Sequence, residues 1–459
     1  MVEFARVDRL PPGTEQGIPG KQMQDDEYSS RYCVVGAGPA GLAVAKNFRE
    51  QGVPFDVIER HAGVAGLWGY GRPYSAIYKS ARLISSRSMS EFRDFPMDKS
   101  LPDYPGQEAV FRYFNAYADA FGLRQCIAFN TEITGATQSG DFWDIRLRSG
   151  EVRRYRGLVL ASGVAWDPKV PNLKGEFSGD TLHSVNYKEP DRFVDKRVLV
   201  IGGGNSGCDI AAELGRHARQ TFISVRRGYH FIPRYVFGIP SDQFGEFSTR
   251  MRTPLAVRQF INQLIVQLQL GDPVKLGLPK PDHRMFESHP IVNAEVLDEI
   301  RKGYVTAKAD VRELRGTKVL FADGSEEAVD NIIYATGYRI SYPYIDQKHL
   351  NGPSGKPGFY LHLFHPVYDN LFTVGMIQPA SGVWSLMDDQ ARLITAYIQA
   401  ANSNRSEAMQ FDRTKAGPQP DMSGGIRYID SDRHFTEVDH TAYRRHLERH
   451  IQLLEKPAA

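Results

Sequence analysis

The sequence is poor in cysteine, in long apolar runs and in net charge. Its three cysteines are far apart and form no C-x-x-C pair, which argues against a disulfide framework, a zinc site and a redox-active cysteine pair. No run approaches the roughly 20 apolar residues that span a bilayer. With 56 basic and 54 acidic residues, the net charge is only +2. This composition predicts a soluble cytoplasmic protein that binds no membrane, nucleic acid or metal.

The first 30 residues are rich in proline, glycine and charge. They contain no apolar stretch of the kind found in signal sequences. We therefore expect 1–30 to form an extended N-terminal arm. A chain of 459 residues has room for two or three domains, each large enough to bury a core.

The first glycine-rich motif, G-x-G-x-x-G at 36–41, follows an apolar run at 31–35 and precedes a helical composition. The next predicted strand, 55–58, ends at Glu59, which lies 23 residues after the first glycine. This order predicts a dinucleotide site, with pyrophosphate at the helix N-terminus and the acid on the ribose hydroxyls, as suits the adenosine half of FAD. The predicted FAD contacts here are Gly36, Gly38, Pro39, Ala40, Gly41, Glu59 and Arg60.

A second G-x-G-x-x-G motif at 202–207 repeats the same order of strand, turn, helix and strand. No acid stands at the matching point after its second strand; Arg226 and Arg227 lie there instead. Because arginine can pair with a 2′-phosphate, this motif predicts NADPH over NADH. The predicted NADPH contacts are Gly202, Gly204, Asn205, Ser206, Gly207, Arg226 and Arg227.

A weaker internal repeat supports a domain layout. A hairpin pattern followed by a strand and a small-small-Gly turn covers 143–163 and recurs at 318–337. We therefore predict an α/β fold of two Rossmann-like domains, the NADPH domain being inserted into the FAD domain. The predicted parts are 31–169 (FAD domain, first part), 170–328 (NADPH domain, with an inserted helical segment at about 229–298) and 329–459 (FAD domain, second part, and C-terminal tail).

The inserted segment has no counterpart in the first half of the chain. Its apolar residues between Leu255 and Leu268 recur near helical spacing. This pattern predicts a helix that packs on its own domain, with a partner-binding or membrane-surface helix as the alternative.

The stretch 177–187 has the pattern F-x-G-x-x-x-H-x-x-x-Y and resembles the signature of the flavin-containing monooxygenases. Baeyer–Villiger relatives close that signature with tryptophan, where this chain has Tyr187, which favours heteroatom oxygenation. The other motifs that resemble the family are Gly66-Leu-Trp68, Ala76-Ile-Tyr-Lys-Ser80, Asp94-Phe-Pro96, Tyr334-Ala-Thr-Gly-Tyr338, Gly375-Met-Ile-Gln378-Pro379 and Asp389-Gln-Ala-Arg392.

The resemblance implies an FAD-dependent NADPH monooxygenase. In this family NADPH reduces FAD, the reduced flavin adds O2 to give a 4a-hydroperoxide, and an amine nitrogen or sulfide sulfur accepts the distal oxygen. The protein's task is then to exclude water and to hold the two rings together. The alternatives are Baeyer–Villiger oxidation of a ketone, an NADPH oxidase that releases hydrogen peroxide, and a non-catalytic NADPH sensor. A homodimer is an open alternative to a monomer.

The resemblance also assigns roles to residues outside the glycine motifs. It implies flavin contacts from Gly66, Leu67, Trp68 and Gln378. The family's asparagine beside the flavin falls on Ile84 in this chain, and isoleucine offers no hydrogen bond. Either a neighbouring serine takes over, which makes Ser85 and Ser86 the candidate catalytic residues, or the peroxide is less well protected in this chain.

Two smaller expectations concern His183 and the start of the C-terminal helix. His183 is either a structural pivot under the nucleotide domain or a direct cofactor contact. Ser385 and Asp388 resemble a capping box, which would begin a helix pointing at the flavin.

Overall fold

The computed structural model describes residues 27–251, 253–292, 294–352, 356–431 and 434–455. Most of the predicted N-terminal arm, 1–26, lies outside these residues. The helices are α1 (Pro39–Glu50), α2 (Arg87–Ser90), α3 (Gln107–Ala120), α4 (Asn205–Gly215), α5 (Ser241–Arg250), α6 (Leu255–Leu270), α7 (Glu295–Arg301), α8 (Trp384–Asn402), α9 (Ser406–Lys415) and α10 (His440–Leu454).

The strands are mostly short, and many consist of two to four residues. They are β1 (Tyr32–Val35), β2 (Phe55–Ile58), β3 (Ile127–Ala128), β4 (Ile133–Ser139), β5 (Phe142–Leu147), β6 (Val152–Tyr155), β7 (Gly157–Leu160), β8 (Asp167–Pro168), β9 (Gly175–Phe177), β10 (Asp180–His183), β11 (Arg197–Ile201), β12 (Gln220–Ser224), β13 (Tyr235–Val236), β14 (Ile239–Pro240), β15 (Val305–Lys308), β16 (Val311–Gly316), β17 (Lys318–Phe321), β18 (Glu326–Ala328), β19 (Asn331–Tyr334), β20 (Tyr338–Arg339), β21 (Leu371–Thr373), β22 (Gln378–Pro379) and β23 (Glu437–Val438).

Two parallel five-stranded sheets form the framework. The first has the order β21-β7-β1-β2-β3 and the second β10-β19-β11-β12-β15. In each sheet the strand before a glycine motif, β1 or β11, lies at the centre, and its neighbours on both sides run parallel to it. The central strands are apolar and buried, as expected for parallel strands that are covered on both faces. The predicted α/β class with two Rossmann-like units is confirmed.

The internal repeat is visible in the sheets. The antiparallel sheet β4-β5-β6 precedes β7, and the antiparallel strands β16, β17 and β18 precede β19. Strand β7 pairs with β1 in the way that β19 pairs with β11. The two halves of the chain therefore build the same unit twice.

The chain leaves the first sheet after β7 and returns to it only at β21, so the second sheet is inserted into the first unit. The two crossings run side by side, because β8 pairs antiparallel with β20. The return crossing lies later than we predicted from the sequence. Strand β19, Asn331–Tyr334, belongs to the second sheet, so the second unit extends through Tyr334 rather than ending at 328.

The inserted segment 229–298 contains the β13–β14 hairpin and helices α5 and α6. The predicted helix is present as α6, and it packs on its own domain through Leu270 and buries Ile265, but leaves most of its apolar side chains uncovered. Of its apolar side chains only Ile265 is buried, while Phe260 is 68% and Leu268 75% exposed. Among the described residues, no helix is both long and apolar enough to cross a membrane.

Lys188 joins the two units. Its Nζ donates hydrogen bonds to the carbonyl oxygens of Ser75 (2.7 Å) and Ile77 (3.1 Å) in the first unit and of Val185 (2.9 Å) in the second. Burial lowers the pKa of Lys188. Beside it, the Tyr78 hydroxyl donates to the Asp209 carboxylate of α4. These contacts fix the orientation of one glycine turn relative to the other.

We predict that Lys188→Met lowers the free energy of unfolding by about 2–3 kcal/mol, because it leaves three carbonyl oxygens without their charged donor. Chemical denaturation followed by tryptophan fluorescence measures the change. Lys79→Met is the matched control, since the Lys79–Glu189 pair is exposed and surface pairs contribute little. Equal stability of the two variants would show that Lys188 does not hold the interface.

Candidate functional site

The first glycine turn is built so tightly that only glycine fits its key positions. A Cβ atom on Gly41 would overlap the carbonyl oxygen of Gly36, and Gly36 itself has φ +103°. Helix α1 then begins at Pro39, with Gly38 as its N-cap residue and no side chain capping its first amides. Free amides at the positive end of a helix suit a pyrophosphate.

The Gly66-Leu67-Trp68 motif packs directly onto this turn. Gly66 has φ +54°, and a Cβ atom on it would lie 2.9 Å from the Cα atom of Gly38. The Trp68 ring meets the Trp384 ring edge to face at 6.0 Å, at the start of α8. Leu67 and Trp68 also pack against the core of the second unit. The structure thus places this motif between the first glycine turn and the second unit.

Later parts of the chain close around the same turn. A Cβ atom on Gly375 would lie 3.1 Å from the Cβ of Ala40. Gln378, three residues on, lies half-buried in β22. The segment that leads to Gln378 therefore packs against the first glycine turn at Gly375.

Glu59 is buried directly after β2, and its carboxylate stabilises the first glycine turn by accepting backbone hydrogen bonds. Its Oε2 accepts the backbone N–H of Ala37 (2.7 Å), and its Oε1 accepts that of His61 (2.8 Å). A carboxylate oxygen accepts more than one hydrogen bond, so both oxygens can still receive a ribose hydroxyl. The neighbouring Arg60 guanidinium stacks on the rings of Tyr74 (4.2 Å) and Trp166 (5.2 Å).

The second glycine turn has the same construction. A Cβ atom on Gly207 would overlap the carbonyl oxygen of Gly202. Gly204 is the N-cap residue of α4, and a Cβ atom on it would meet nothing within 4 Å. Asn205 Oδ1 accepts the Val292 backbone N–H (3.0 Å), and Ser206 is exposed. The space over Gly204 is the cradle that a dinucleotide pyrophosphate would fill.

The two arginines after β12 differ in their surroundings. Both are exposed, but the Arg227 Nε donates to Asp282 Oδ2 at 2.9 Å. Asp282 also accepts from His283. For Arg226, the described part of the chain shows no ion pair. The sequence pattern could not separate the two arginines, because Asp282 lies in the inserted segment, where no spacing rule applies.

Ser86 is the N-cap residue of α2 and is fully buried. Its Oγ has no hydrogen-bond partner among the described residues. Ile84 and Ser85 beside it are half-buried. Helix α2 adjoins the segment after Gln378, since a Cβ atom on Gly382 would overlap the carbonyl oxygen of Met89.

His183 occupies the crossing between the units. Its Nδ1 accepts the Val185 N–H (3.2 Å), so Nε2 carries the proton and donates to the Gly337 carbonyl oxygen (3.0 Å). Burial lowers its pKa to about 4, which keeps the ring neutral. Both ring nitrogens are therefore engaged by backbone, as in a structural pivot.

The expected capping box at Ser385 and Asp388 is wrong. Helix α8 begins one residue earlier, at Trp384, and no side chain caps it. Ser385 Oγ instead accepts from Arg444 (2.8 Å), and Asp388 accepts from Asn47 (2.7 Å). Both side chains are drawn to partners on neighbouring helices, which local sequence does not reveal.

Comparison with known proteins identifies the family. The sequence model of the flavin-binding monooxygenase-like family matches residues 29–454. The chain belongs to this family. It is 31% identical over 437 residues to flavin-containing monooxygenase 5 of Oryctolagus cuniculus, a match that covers 89% of this chain and 80% of the rabbit protein.

Solved structures share the fold at lower identity. S-allyl-L-cysteine S-oxygenase from Allium sativum matches with a TM-score of 0.62 and 20% identity, over 92% of this chain and 88% of that one. Cyclohexanone monooxygenase from Rhodococcus sp. Phi1 bound to NADP+ matches with a TM-score of 0.68 and 19% identity, over 93% and 98%.

This flavin-containing monooxygenase uses FAD and NADPH, as the sequence predicts. It is a monooxygenase, an enzyme that reacts with O2. The two glycine turns fit these cofactors: each presents uncapped helix amides, and the second leaves open space where a phosphate group can approach the backbone. The family membership also removes the alternative of a non-catalytic sensor.

We predict that Gly204→Ala abolishes tight NADPH binding without loss of folding stability. The added methyl group meets no protein atom, yet it occupies the space that a pyrophosphate needs. Calorimetric titration with NADP+ and a thermal melt measure the two effects. Gly207→Ala is the control that should destabilise the fold instead. NADP+ affinity unchanged by Gly204→Ala would show that the cofactor does not cross this turn.

Proposed function

We propose that the first glycine turn holds FAD, the second holds NADPH, and the Ser85–Ser86 turn serves the oxygen chemistry. The observation that carries this proposal is the repeated construction of the two turns in two sheets whose crossings run side by side. When bound, reduced flavin and O2 supply an electrophilic oxygen atom. The chain's own residues bind the two dinucleotides, orient them and keep water out.

Three contacts would organise the FAD end of the site. The amides at the start of α1 bind the pyrophosphate, and Glu59 accepts the ribose hydroxyls while it holds the Ala37 amide. Gly66-Leu67-Trp68, on the side where the second unit packs, and Gln378 would contact the flavin ring. No protein nucleophile or general base is needed for a soft nucleophile to accept oxygen.

The substrate is an amine nitrogen or a sulfide sulfur. The similar protein from Allium sativum is an S-oxygenase, whereas the similar protein from Rhodococcus is a monooxygenase of the ketone cyclohexanone. Tyr187, which favours heteroatom oxygenation in the sequence comparison, is buried, and its hydroxyl donates to Glu213 (2.6 Å). We therefore infer that tyrosine in place of tryptophan affects the type of oxygenation through the packing of the second unit's core.

A panel of amines, sulfides and ketones tests this assignment. We expect NADPH consumption matched by an N-oxide or a sulfoxide 16 mass units heavier than the substrate, a mass change of one oxygen atom. Lactone or ester formation from ketones alone would establish the Baeyer–Villiger alternative. NADPH consumption matched only by hydrogen peroxide would establish the oxidase alternative.

We predict that Arg226 binds the 2′-phosphate of NADPH and Arg227 does not, because Arg227 is already paired with Asp282. Arg226→Ala should raise the KM for NADPH about ten- to 150-fold, as expected for a lost charge-assisted hydrogen bond, and leave the KM for NADH unchanged. Arg227→Ala is the matched control, with a small effect on both. Equal effects of Arg226→Ala on the two nucleotides would remove Arg226 from the site.

We predict that Ser86→Ala raises the hydrogen peroxide released per NADPH consumed about two- to twelvefold, the effect of one lost hydrogen bond. Alanine removes only the buried Oγ and keeps the backbone N–H bond to Asp242, so the fold should be retained. Peroxide assays and a thermal melt measure both properties. Ser85→Ala is the control. If Ser85→Ala released more peroxide and Ser86→Ala did not, Ser85 rather than Ser86 would be the residue that limits peroxide release.

A cytoplasmic location and a homodimer are also proposed. The exposed apolar face of α6, which includes Phe260, Leu264 and Leu268, is unusual for a monomer and supports contact between two copies. Light scattering of the purified protein measures the mass in solution.

A further inference from the structure

A loop of the inserted segment lies against the two arginines that follow β12. A Cβ atom on Gly228, directly after the second arginine, would overlap the backbone of this inserted loop (278–283). Leu278 is buried in the core of the second unit, and His230 Nε2 donates to the His283 carbonyl oxygen at 2.8 Å. The inserted loop is therefore fixed at both ends beside the arginines.

Asp282 is the acidic residue of the inserted loop, and two side chains donate to its carboxylate. Arg227 Nε donates to Oδ2 at 2.9 Å, and His283 Nδ1 donates to Oδ1 at 2.9 Å. The His283 hydrogen bond, and after it the charge of Arg227, holds the pKa of the Asp282 carboxyl group below its usual value. The His283 side chain is only 4% exposed, which limits the movement of the carboxylate that it binds. Asp282 therefore keeps a negative charge next to Arg227 at neutral pH.

The Arg227–Asp282 pair lies where a Rossmann-like unit selects its nucleotide. Residues at the end of the second strand of such a unit contact the ribose 2′ position, where an acid favours a hydroxyl group and an arginine favours a phosphate. In the second unit that strand is β12. Both kinds of group meet at this place: Arg226 and Arg227 come from the chain after β12, and Asp282 comes from the inserted loop.

The pair is open to solvent, so a phosphate group can reach it without a change in the core. The Arg227 side chain is 44% exposed and that of Asp282 53%. A phosphate at the ribose 2′ position and the Asp282 carboxylate compete for one guanidinium, and their like charges repel each other. For Arg226, by contrast, the described residues show no ion pair. The carboxylate thus offsets the attraction of one of the two arginines for a phosphate.

We infer that Asp282 is a specificity-determining residue, which limits the preference for NADPH over NADH by withholding Arg227 from the 2′-phosphate. This inference rests on the proposed binding of that phosphate at Arg226. The chain after β12 offers two arginines, but the inserted loop neutralises one of them. The strength of the NADPH preference is therefore set partly by the insertion and not by the glycine motif alone.

Variants of the full-length holoenzyme test the inference. Asp282→Asn removes the charge and keeps the shape, and it is also made in an Arg227→Ala background. Asp298→Asn is the matched control, because Asp298 pairs with Arg301 at 2.6 Å in another exposed ion pair. Calorimetric titrations with adenosine 2′,5′-bisphosphate and with adenosine 5′-monophosphate isolate the contribution of the 2′-phosphate. The ratio of the KM values for NADPH and NADH gives a second measure.

We expect Asp282→Asn to tighten binding of the bisphosphate about two- to fivefold, the range for one exposed ion pair, and to leave binding of the monophosphate unchanged. The KM ratio should shift towards NADPH by a similar factor. Asp298→Asn should match the wild type. In the Arg227→Ala background Asp282→Asn should lose its effect, because the arginine that it releases is absent.

Weaker binding of the bisphosphate by Asp282→Asn would overturn the inference, since Asp282 would then orient Arg227 towards the phosphate. An equal gain in the Arg227→Ala background, or an equal gain from Asp298→Asn, would also overturn it, because the effect would then be one of net charge. If Arg226→Ala bound the bisphosphate as tightly as the wild type does, the proposed phosphate site itself would be refuted.

Discussion

The two glycine turns are the constraint on which the rest of the molecule depends. In each, the last glycine of the motif lies so close to the carbonyl oxygen of the first that no side chain fits between them. This contact brings the helix start directly over the end of the central strand, where the uncapped amides of that helix suit a phosphate group. The sheets order the strands around the turns, and the remaining elements cover them.

A second requirement is that the two sites keep a fixed relation to each other. The side-by-side crossings, the neutral His183 between them and the Lys188 contacts all link the units through backbone carbonyl groups. The side chains of His183 and Lys188 supply the donors, and the accepting backbone oxygens have positions fixed by the chain path, which suits an enzyme that must hold two rings in contact. The insertion adds a further link, because Asp242 ties α5 to the turn that contains Ser86.

Much of this architecture could be predicted from the sequence, because glycine spacing and apolar runs encode it locally. The motifs at 36–41 and 202–207 determine where both dinucleotide turns form, and the repeated hairpin pattern predicts β7 and β19. The boundary at 328 was misplaced because the strand pairing of Asn331–Tyr334 is a long-range property. In helix α6 the spacing of the apolar residues correctly predicts a helix. That spacing does not predict which surface covers the apolar face of the helix.

The parts that sequence could not predict are long-range polar contacts. Asp282 engages Arg227, and Asp242 binds Ser86 across 156 positions of the chain. Arg444 and Asn47 draw Ser385 and Asp388 away from a capping box. Each of these pairings depends on tertiary packing, and none has a spacing rule that could have identified it.

We propose that one chain holds FAD and NADPH together, in contact for hydride transfer. Anaerobic rapid mixing of the FAD-loaded protein with NADPH, and with NADPH deuterated at the transferred position, tests it most directly. We predict that the flavin absorbance bleaches at a rate that saturates with NADPH and is slowed by deuterium. Bound FAD that stays oxidised under saturating NADPH would show that the two cofactors do not meet in this chain.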